Sequence, residues 1–296
     1  MRPSITPWVI AKHTPQRHCR PMLKDPNSAG DLLRDWRQRR RLSQLALAVD
    51  ADISQRHLSF VESGRSLPSR DMVLRLTEHL DVPLRERNAI LMAAGFAPIY
   101  RDRPLDSPEL AGARAVIQRI LDGHDPHPAL AVDRHWTMLA ANRAVSLLMA
   151  GVAGHLVAGP VNVLRVSLHP EGLASRVVNF RDWRSHIFKR LSHEIDVSAD
   201  PQLSALLDEL KSYPVPYEAR TMRHAASTGH ADIAVPLILT SEAGPLSFLS
   251  TTTVFGTATD VALSEVTIEA FFPADAETSR AMADMAATPA PERPSP

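Results

Sequence analysis

In the first third of the chain, apolar residues recur every three or four positions, the period of a helix that buries one face. Five such segments follow one another. Leu32, Leu33 and Trp36 mark the first, between Gly30 and Arg41. Two shorter runs open at Ser43 and Ser54, with Asp50-Ala51-Asp52 as the turn between them. Ser69 to Leu80 sets Met72, Val73, Leu76 and Leu80 inward, and LRERNAILMAAGF is a fifth helix stopped by Gly95. Ser43 and Ser54 are placed to accept hydrogen bonds from free helix N–H groups. Leu42 and Ile53 precede these caps, and Leu47 and Leu58 follow four positions later, so each helix has a hydrophobic staple. Asp52 in so short a turn predicts a left-handed backbone, which glycine would adopt at lower cost.

After residue 97 the period changes. APIYRDRPLDSPEL holds three prolines and mixed charge, so residues 98–112 read as a linker. ARAVIQRILDG is a short amphipathic helix, and a Gly/Pro/His loop follows. ALAVDRHWTMLAANRAVSLLM predicts strand, turn at Asp133–Trp136, strand, then a helix near Asn142. Residues 160–194 are mainly helical after a break at His169-Pro170-Glu171-Gly172, with Val177, Phe180, Ile187, Phe188 and Leu191 on one face. DPQLSALLDELKSYP is a helix with Asp200 as cap and Pro201 in its first position. Three further runs, DIAVPLILT, LSFLSTTTVFGT and VTIEAFF, read as strands; Pro236 inside the first predicts an edge position or a bulge. The expected fold is an all-α five-helix bundle over residues 29–97, then an α+β domain over 113–275 with helices on one face of its sheet. Residues 1–28, with five prolines, and 276–296, rich in Ala, Pro and Ser, are expected to be a disordered basic arm and a disordered tail.

Charge sharpens this division. The whole chain is neutral, yet residues 1–100 carry 16 Lys and Arg against 10 Asp and Glu, and residues 101–296 carry 17 against 23. A basic front half joined to an acidic back half suits a nucleic-acid module attached to something else. No apolar run approaches the ~18 residues of a membrane span. Cys19 is the one cysteine, so disulfides and thiolate metal sites are excluded and a cytoplasmic protein is expected.

The second and third helices, with a tight turn between them, have the layout of a helix-turn-helix, whose second helix enters the DNA major groove. Leu58 and Val61 face inward and leave Gln55, Arg56 and Ser59 outward near the N-terminus that Ser54 caps. Arg grips guanine O6 and N7, and Gln does the same for adenine N6 and N7. Gln44, at the start of the preceding helix, and Arg65, just past Gly64, suit phosphates. Arg37, Arg39, Arg40 and Arg41 either favour the C-terminus of their own helix or reach the DNA backbone.

Leu42, Ser43, Gln44, Leu47, Ala48, Ile53, Ser54 and the ending Glu62-Ser63-Gly64-Arg65 resemble the Cro/repressor-type (XRE family) helix-turn-helix. Leu45 and Ala46 stand where that family commonly has an acidic pair, which removes the capping-box partner of Ser43. Asp52 stands in place of the usual turn glycine. Farther on, the string from Ala129 to Asn142, NVLRVSLHPEGL, FRDWRSHI and TIEAFFPAD resemble the MmyB-like ligand-binding domain. HLSFVESGRSLPSRDMVLRL and VPLRERNAILMAAGFAP resemble the usual front half of that family, so the likeness runs from about residue 30 to 275. It implies a bacterial transcriptional regulator whose PAS-like second domain holds a small apolar effector, with fatty acids a reasonable class. Two copies are expected to bind a pseudo-palindromic operator with half-sites about one helical turn apart, as a homodimer.

In such a domain Trp136, Trp183, Phe188, Phe248 and Phe255 either line a pocket or belong to plain core. Asn142 and Arg165 are candidate anchors for a polar head group, the arginine being suited to a carboxylate. Thirteen histidines invite an enzymatic reading, yet HExxH, His pairs at i,i+4, a nucleophile elbow and a glycine-rich phosphate loop are all missing from the sequence. No catalytic residue, metal or cofactor is therefore expected. Two rivals stay open: a helix-turn-helix used as a protein-binding adaptor, and an enzyme with a DNA-targeting front end.

Overall fold

Serine hydroxyls start the first four helices. In the computed structural model, which describes residues 28–216 and 234–287, Ser28, Ser43, Ser54 and Ser69 each accept from the backbone N–H three residues on, at 3.0–3.3 Å. They open α1 (Ala29–Arg39), α2 (Gln44–Asp50), α3 (Gln55–Glu62) and α4 (Arg70–His79). Pro83 precedes α5 (Leu84–Ala93) without a side-chain cap. Asp52, in the turn between α2 and α3, has φ 52°, the left-handed backbone its position demands. Leu33, Leu47, Leu58, Leu76 and Leu91 are fully buried where the five helices meet. Gly30 lets α1 cross directly over α3, because a Cβ at this position would stand 2.2 Å from the Val61 carbonyl oxygen.

The stretch 98–112 is no free linker. Asn88 Oδ1 accepts from the N–H groups of Ile99 and Tyr100 at 3.1 Å, and its Nδ2 donates to the Tyr100 carbonyl at 2.7 Å. Arg103 then pairs with buried Asp260 at 2.8 Å, so the segment is stitched to both halves of the protein.

The second domain runs α6 (Ala111–Asp122), β1 (Ala129–Val132), β2 (Met138–Ala141), α7 (Arg143–Leu148), α8 (Gly154–Val157) and α9 (Val163–Leu168). There follow α10 (Phe180–Ser198), α11 (Pro201–Ser212), β3 (Leu237–Ser241), β4 (Gly244–Val254), α12 (Val261–Ser264), β5 (Thr267–Pro273) and α13 (Ala276–Ala287). The five strands form one antiparallel sheet in the order β2-β1-β5-β4-β3. β3 begins just after Pro236 and lies at the sheet edge, where a missing N–H costs nothing.

Two expectations are corrected. The sheet is covered on both faces rather than one. All four residues of β1 are buried: Leu130 and Val132 join the main core under α7, α9 and α10, while Ala129 and Ala131 pack with Ile117 and Leu121 of α6. Residues 276–287, expected to be part of a disordered tail, form α13, whose Met282 is fully buried in the main core. Alanine propensity and one apolar anchor outweigh the low complexity that pointed to disorder. The rest of that tail (288–296), the arm (1–27) and the first residues of the DIAVPLILT run lie outside the described residues.

Ion pairs join the two domains. From α5, Arg85 donates to both carboxylate oxygens of Glu265 at 2.8 and 2.9 Å and also pairs with Asp102. Arg134, in the β1–β2 turn, lies 3.8 Å from Glu86, 3.5 Å from Glu265 and 3.4 Å from Asp200.

Candidate functional site

The exposed face of α3 is built on a buried carboxylate. Glu62, the last residue of α3, is fully buried, and Arg37 of α1 donates to it through Nε at 2.6 Å and Nη2 at 2.9 Å. Gln44 Nε2 of α2 donates to the same carboxylate at 2.8 Å, and Arg34 donates to the Glu62 carbonyl. One side chain thus ties the end of α3 to both preceding helices, and the opposite end of α3 is left bare. Gln55 and Arg56 are exposed, Ser59 is half-buried, and Ser54 spends its hydroxyl as the cap. The Arg56 and Arg65 guanidiniums lie 5.4 and 6.0 Å from the Phe60 ring centre, a cation–π arrangement that keeps both beside the exposed face of α3.

Several basic residues are already committed. Arg37 belongs to the Glu62 cluster, and Arg40 donates to the carbonyls of Leu80 and Asp81 at 2.8 and 2.7 Å. These two serve the bundle. Gln44, placed at the phosphate in the sequence reading, has its amide on Glu62.

The second site is a cavity of about 110 Å³ between the sheet and helices α7, α9 and α10. Leu130, Trp136, Val145, Leu148, Leu164, Trp183, Ile187, Leu239 and Phe271 supply apolar wall, and Ser167, His186, Arg190, Ser250 and Glu269 supply the polar groups. Arg190 donates to both oxygens of buried Glu269 at 2.6 and 3.0 Å and lies 3.3 Å from Glu194. Its guanidinium sits 4.5 Å from the Trp136 ring centre, and the Trp136 indole N–H donates to Glu194 at 2.8 Å. Trp136 itself holds a left-handed backbone (φ 66°), fixed by Asp133, whose carboxylate accepts from the N–H groups of His135 and Thr137 at 2.8 Å. Burial pushes the Glu194 carboxyl above its usual range, more than Trp136 and Arg190 pull it down. Burial, with Arg190 nearby, pushes the His186 imidazole below its usual range against the pull of Glu269.

Of the seven residues expected at a ligand, Trp136 and Trp183 line this cavity. The other five do not. Asn142 is buried and spends its amide on the Ala129 N–H and the carbonyls of Leu121 and His127, which holds the start of α7. Arg165 forms a two-pronged pair with Glu209 at 2.8 Å near the surface. Phe188 lies under the Arg184 guanidinium at 4.8 Å, Phe248 is plain core, and Phe255 packs with the α6 side of the sheet. Arg190, Glu194 and Glu269 were not anticipated. Arg190, seven positions after Trp183, had the right helical spacing as a signal, but it was masked by the other cations of α10. Among the described residues His155, His169 and Glu171 place donor atoms within 4.8 Å of one another at the surface, but His169 Nδ1 accepts the Glu171 N–H at 3.1 Å.

Residues 28–90 match a helix-turn-helix domain, and residues 113–285 match the MmyB-like transcription regulator ligand binding domain. A helix-turn-helix domain joined to this ligand-binding domain defines a DNA-binding transcription regulator. The chain belongs to the MmyB-like regulator family, whose model covers more than half of its length. Comparison with curated proteins gives no match. No helix among the described residues is long and apolar enough to cross a membrane.

Proposed function

We propose that the chain binds an operator as a homodimer and that a small apolar effector in the second domain alters that binding. Gln55, Arg56 and Ser59 read base edges; Gln44, through the exposed start of α2, and Arg65 meet phosphates. The observation that carries this reading is the anchoring of α3. Its C-terminal end is locked by the Glu62 cluster while its N-terminal polar face stays open. Fatty acids are the effector class raised by the resemblance. An acyl chain suits the cavity walls, and whether it ends in an acid depends on the polar groups there. No catalytic role is assigned to any residue, and the protein acts in the cytoplasm.

The route from cavity to reading head is short. Trp136 belongs to the cavity wall, Arg134 stands two residues before it, and Arg134 faces Glu86 on α5 and Glu265, the partner of Arg85. A ligand that shifts Trp136 therefore displaces the ionic joint holding α5. Its influence equals the difference in its affinity for the two arrangements.

Selection of bound duplexes from a randomised pool, followed by anisotropy titration, tests the DNA half. Arg56→Ala is expected to relax preference at one base pair at a cost of about 1–3 kcal/mol. Uniform weakening across all sequences would make Arg56 a phosphate contact, and an affinity that does not change with salt would favour the protein-adaptor reading.

A further inference from the structure

We propose that Phe60 is a positioning residue of the DNA-binding face, its ring a platform that holds Arg56 and Arg65 in place before DNA arrives. The proposal rests on those two arginines meeting DNA and adds how they come to be aimed.

Phe60 stands apart from the bundle core. Its neighbours Leu58 and Val61 are buried in that core, whereas Phe60 is half-buried and belongs to none of the hydrophobic clusters among the described residues. What lies over its ring is a pair of cations, the Arg56 guanidinium 5.4 Å and the Arg65 guanidinium 6.0 Å from the ring centre.

Helix geometry brings the first. Residues four apart share a face, and a helical side chain leans towards the N-terminus, so the Phe60 ring covers the turn that carries Arg56. A chain reversal brings the second. Gly64, with φ 72°, ends α3 in a left-handed turn. Its N–H donates to the Val61 carbonyl at 3.0 Å, and the N–H groups of Arg65 and Ser66 donate to the Phe60 carbonyl at 2.8 and 3.1 Å. Phe60 therefore holds Arg65 twice, by its backbone oxygen and by its ring, and holds Arg56 by the ring alone.

A guanidinium lying over an aromatic ring uses its face and keeps its N–H edges. Among the described residues neither the Arg56 nor the Arg65 guanidinium makes a hydrogen bond or an ion pair. Arg37 and Arg40 differ, because their donors serve the bundle. The donors of Arg56 and Arg65 remain for guanine or phosphate. A free arginine loses rotamer freedom when it binds, and one already restrained on a ring loses less. Two like charges sharing one ring also gain from the approach of a polyanion.

The test uses the full chain and duplexes that it selects from a randomised pool. Phe60→Leu keeps an apolar side chain and the backbone carbonyl but removes the ring; Phe60→Tyr keeps the ring. Phe60→Leu is expected to weaken binding about tenfold. It should also relax preference at the same base pair as Arg56→Ala, with the unfolding midpoint of the first domain little changed. Phe60→Tyr is expected to stay within about twofold of the wild type. A purely structural role would weaken all sequences alike and leave that preference intact, which would overturn the proposal. Lost preference at a different base pair would overturn it too, by making Phe60 a base contact itself. If Arg56→Ala and Arg65→Ala weaken binding while Phe60→Leu does not, the proposal fails and both arginines remain DNA contacts. If neither arginine variant has an effect, the reading of those residues falls and takes the proposal with it. Should Phe60→Leu misfold, relaxation of the arginine Nε–H groups in the DNA-free wild-type chain decides. Arg56 and Arg65 are expected to be more ordered than exposed Arg39, and equal mobility overturns the proposal.

Discussion

Glu62 and Glu194 show how differently two buried carboxylates can be used. Glu62 is matched by Arg37 and Gln44, and removing it leaves Arg37 buried and uncompensated. Glu62→Ala is expected to destabilise the first domain by about 3–5 kcal/mol. Denaturant unfolding of the single and double variants with Arg37→Ala checks this, the double costing less than the sum. Glu194 is the opposite case: burial raises its pKa, so the folded chain holds this proton more tightly than the unfolded chain. Its contribution is favourable at low pH and is lost as pH rises through the raised value. Glu194→Gln keeps an acceptor for the Trp136 indole and removes the cost of ionisation. Its melting temperature is expected to exceed that of the wild type near pH 8, with the gap closing towards about pH 4. A gap independent of pH would contradict the assignment. Neither role was legible in the sequence, where Glu62 read as part of a helix ending and Glu194 as one of many charges on α10. Partner residues 25 and 58 positions away determine both.

At the scale of elements, local signals sufficed where structure is local. The caps at Ser43 and Ser54, the left-handed Asp52, the stop at Gly95 and the Asp133–Trp136 hairpin were readable because each depends on neighbours within a few residues. Elements whose existence depends on distant packing were not. α13 was hidden by its composition, and the ordered 98–112 segment by its prolines, because their partners lie on β4, α7 and Asp260. The same limit applies to the cavity: Trp136 and Trp183 were found by residue type, whereas Phe248 and Phe255 look alike in sequence and pack elsewhere. Met282→Ala tests whether α13 belongs to the core, with an expected loss of about 2–5 kcal/mol in the unfolding of the second domain. An unchanged midpoint would return residues 276–287 to the status of a tail.

For the whole molecule the decisive feature is the ionic joint between domains. Arg85 and Glu265 are partly exposed, so their pair adds little stability, and its value lies in orientation. Glu265→Gln is expected to leave the DNA affinity of the unliganded protein within about threefold, and the shift of the Trp136 indole on binding a small apolar ligand unchanged. The change in DNA affinity that the ligand produces should then disappear. Anisotropy titrations with and without a saturating apolar ligand measure it, and full retention of the ligand effect would show that coupling runs elsewhere.

β5 gives this joint a mechanical character. Glu265 stands two residues before the strand begins, and Glu269 and Phe271 of the same strand form part of the cavity wall. Extended backbone advances about 3.3 Å per residue, so the strand from Thr267 to Glu269 spans about 7 Å, and the turn that ends α12 carries Glu265 just before it. Paired with β1 on one side and β4 on the other, that stretch is expected to transmit a push as a rod does rather than slacken as a string. A guest that nudges Glu269 along the strand axis is expected to carry Thr267 with it and to bear on the turn that holds Glu265, and so on the grip this carboxylate has on α5.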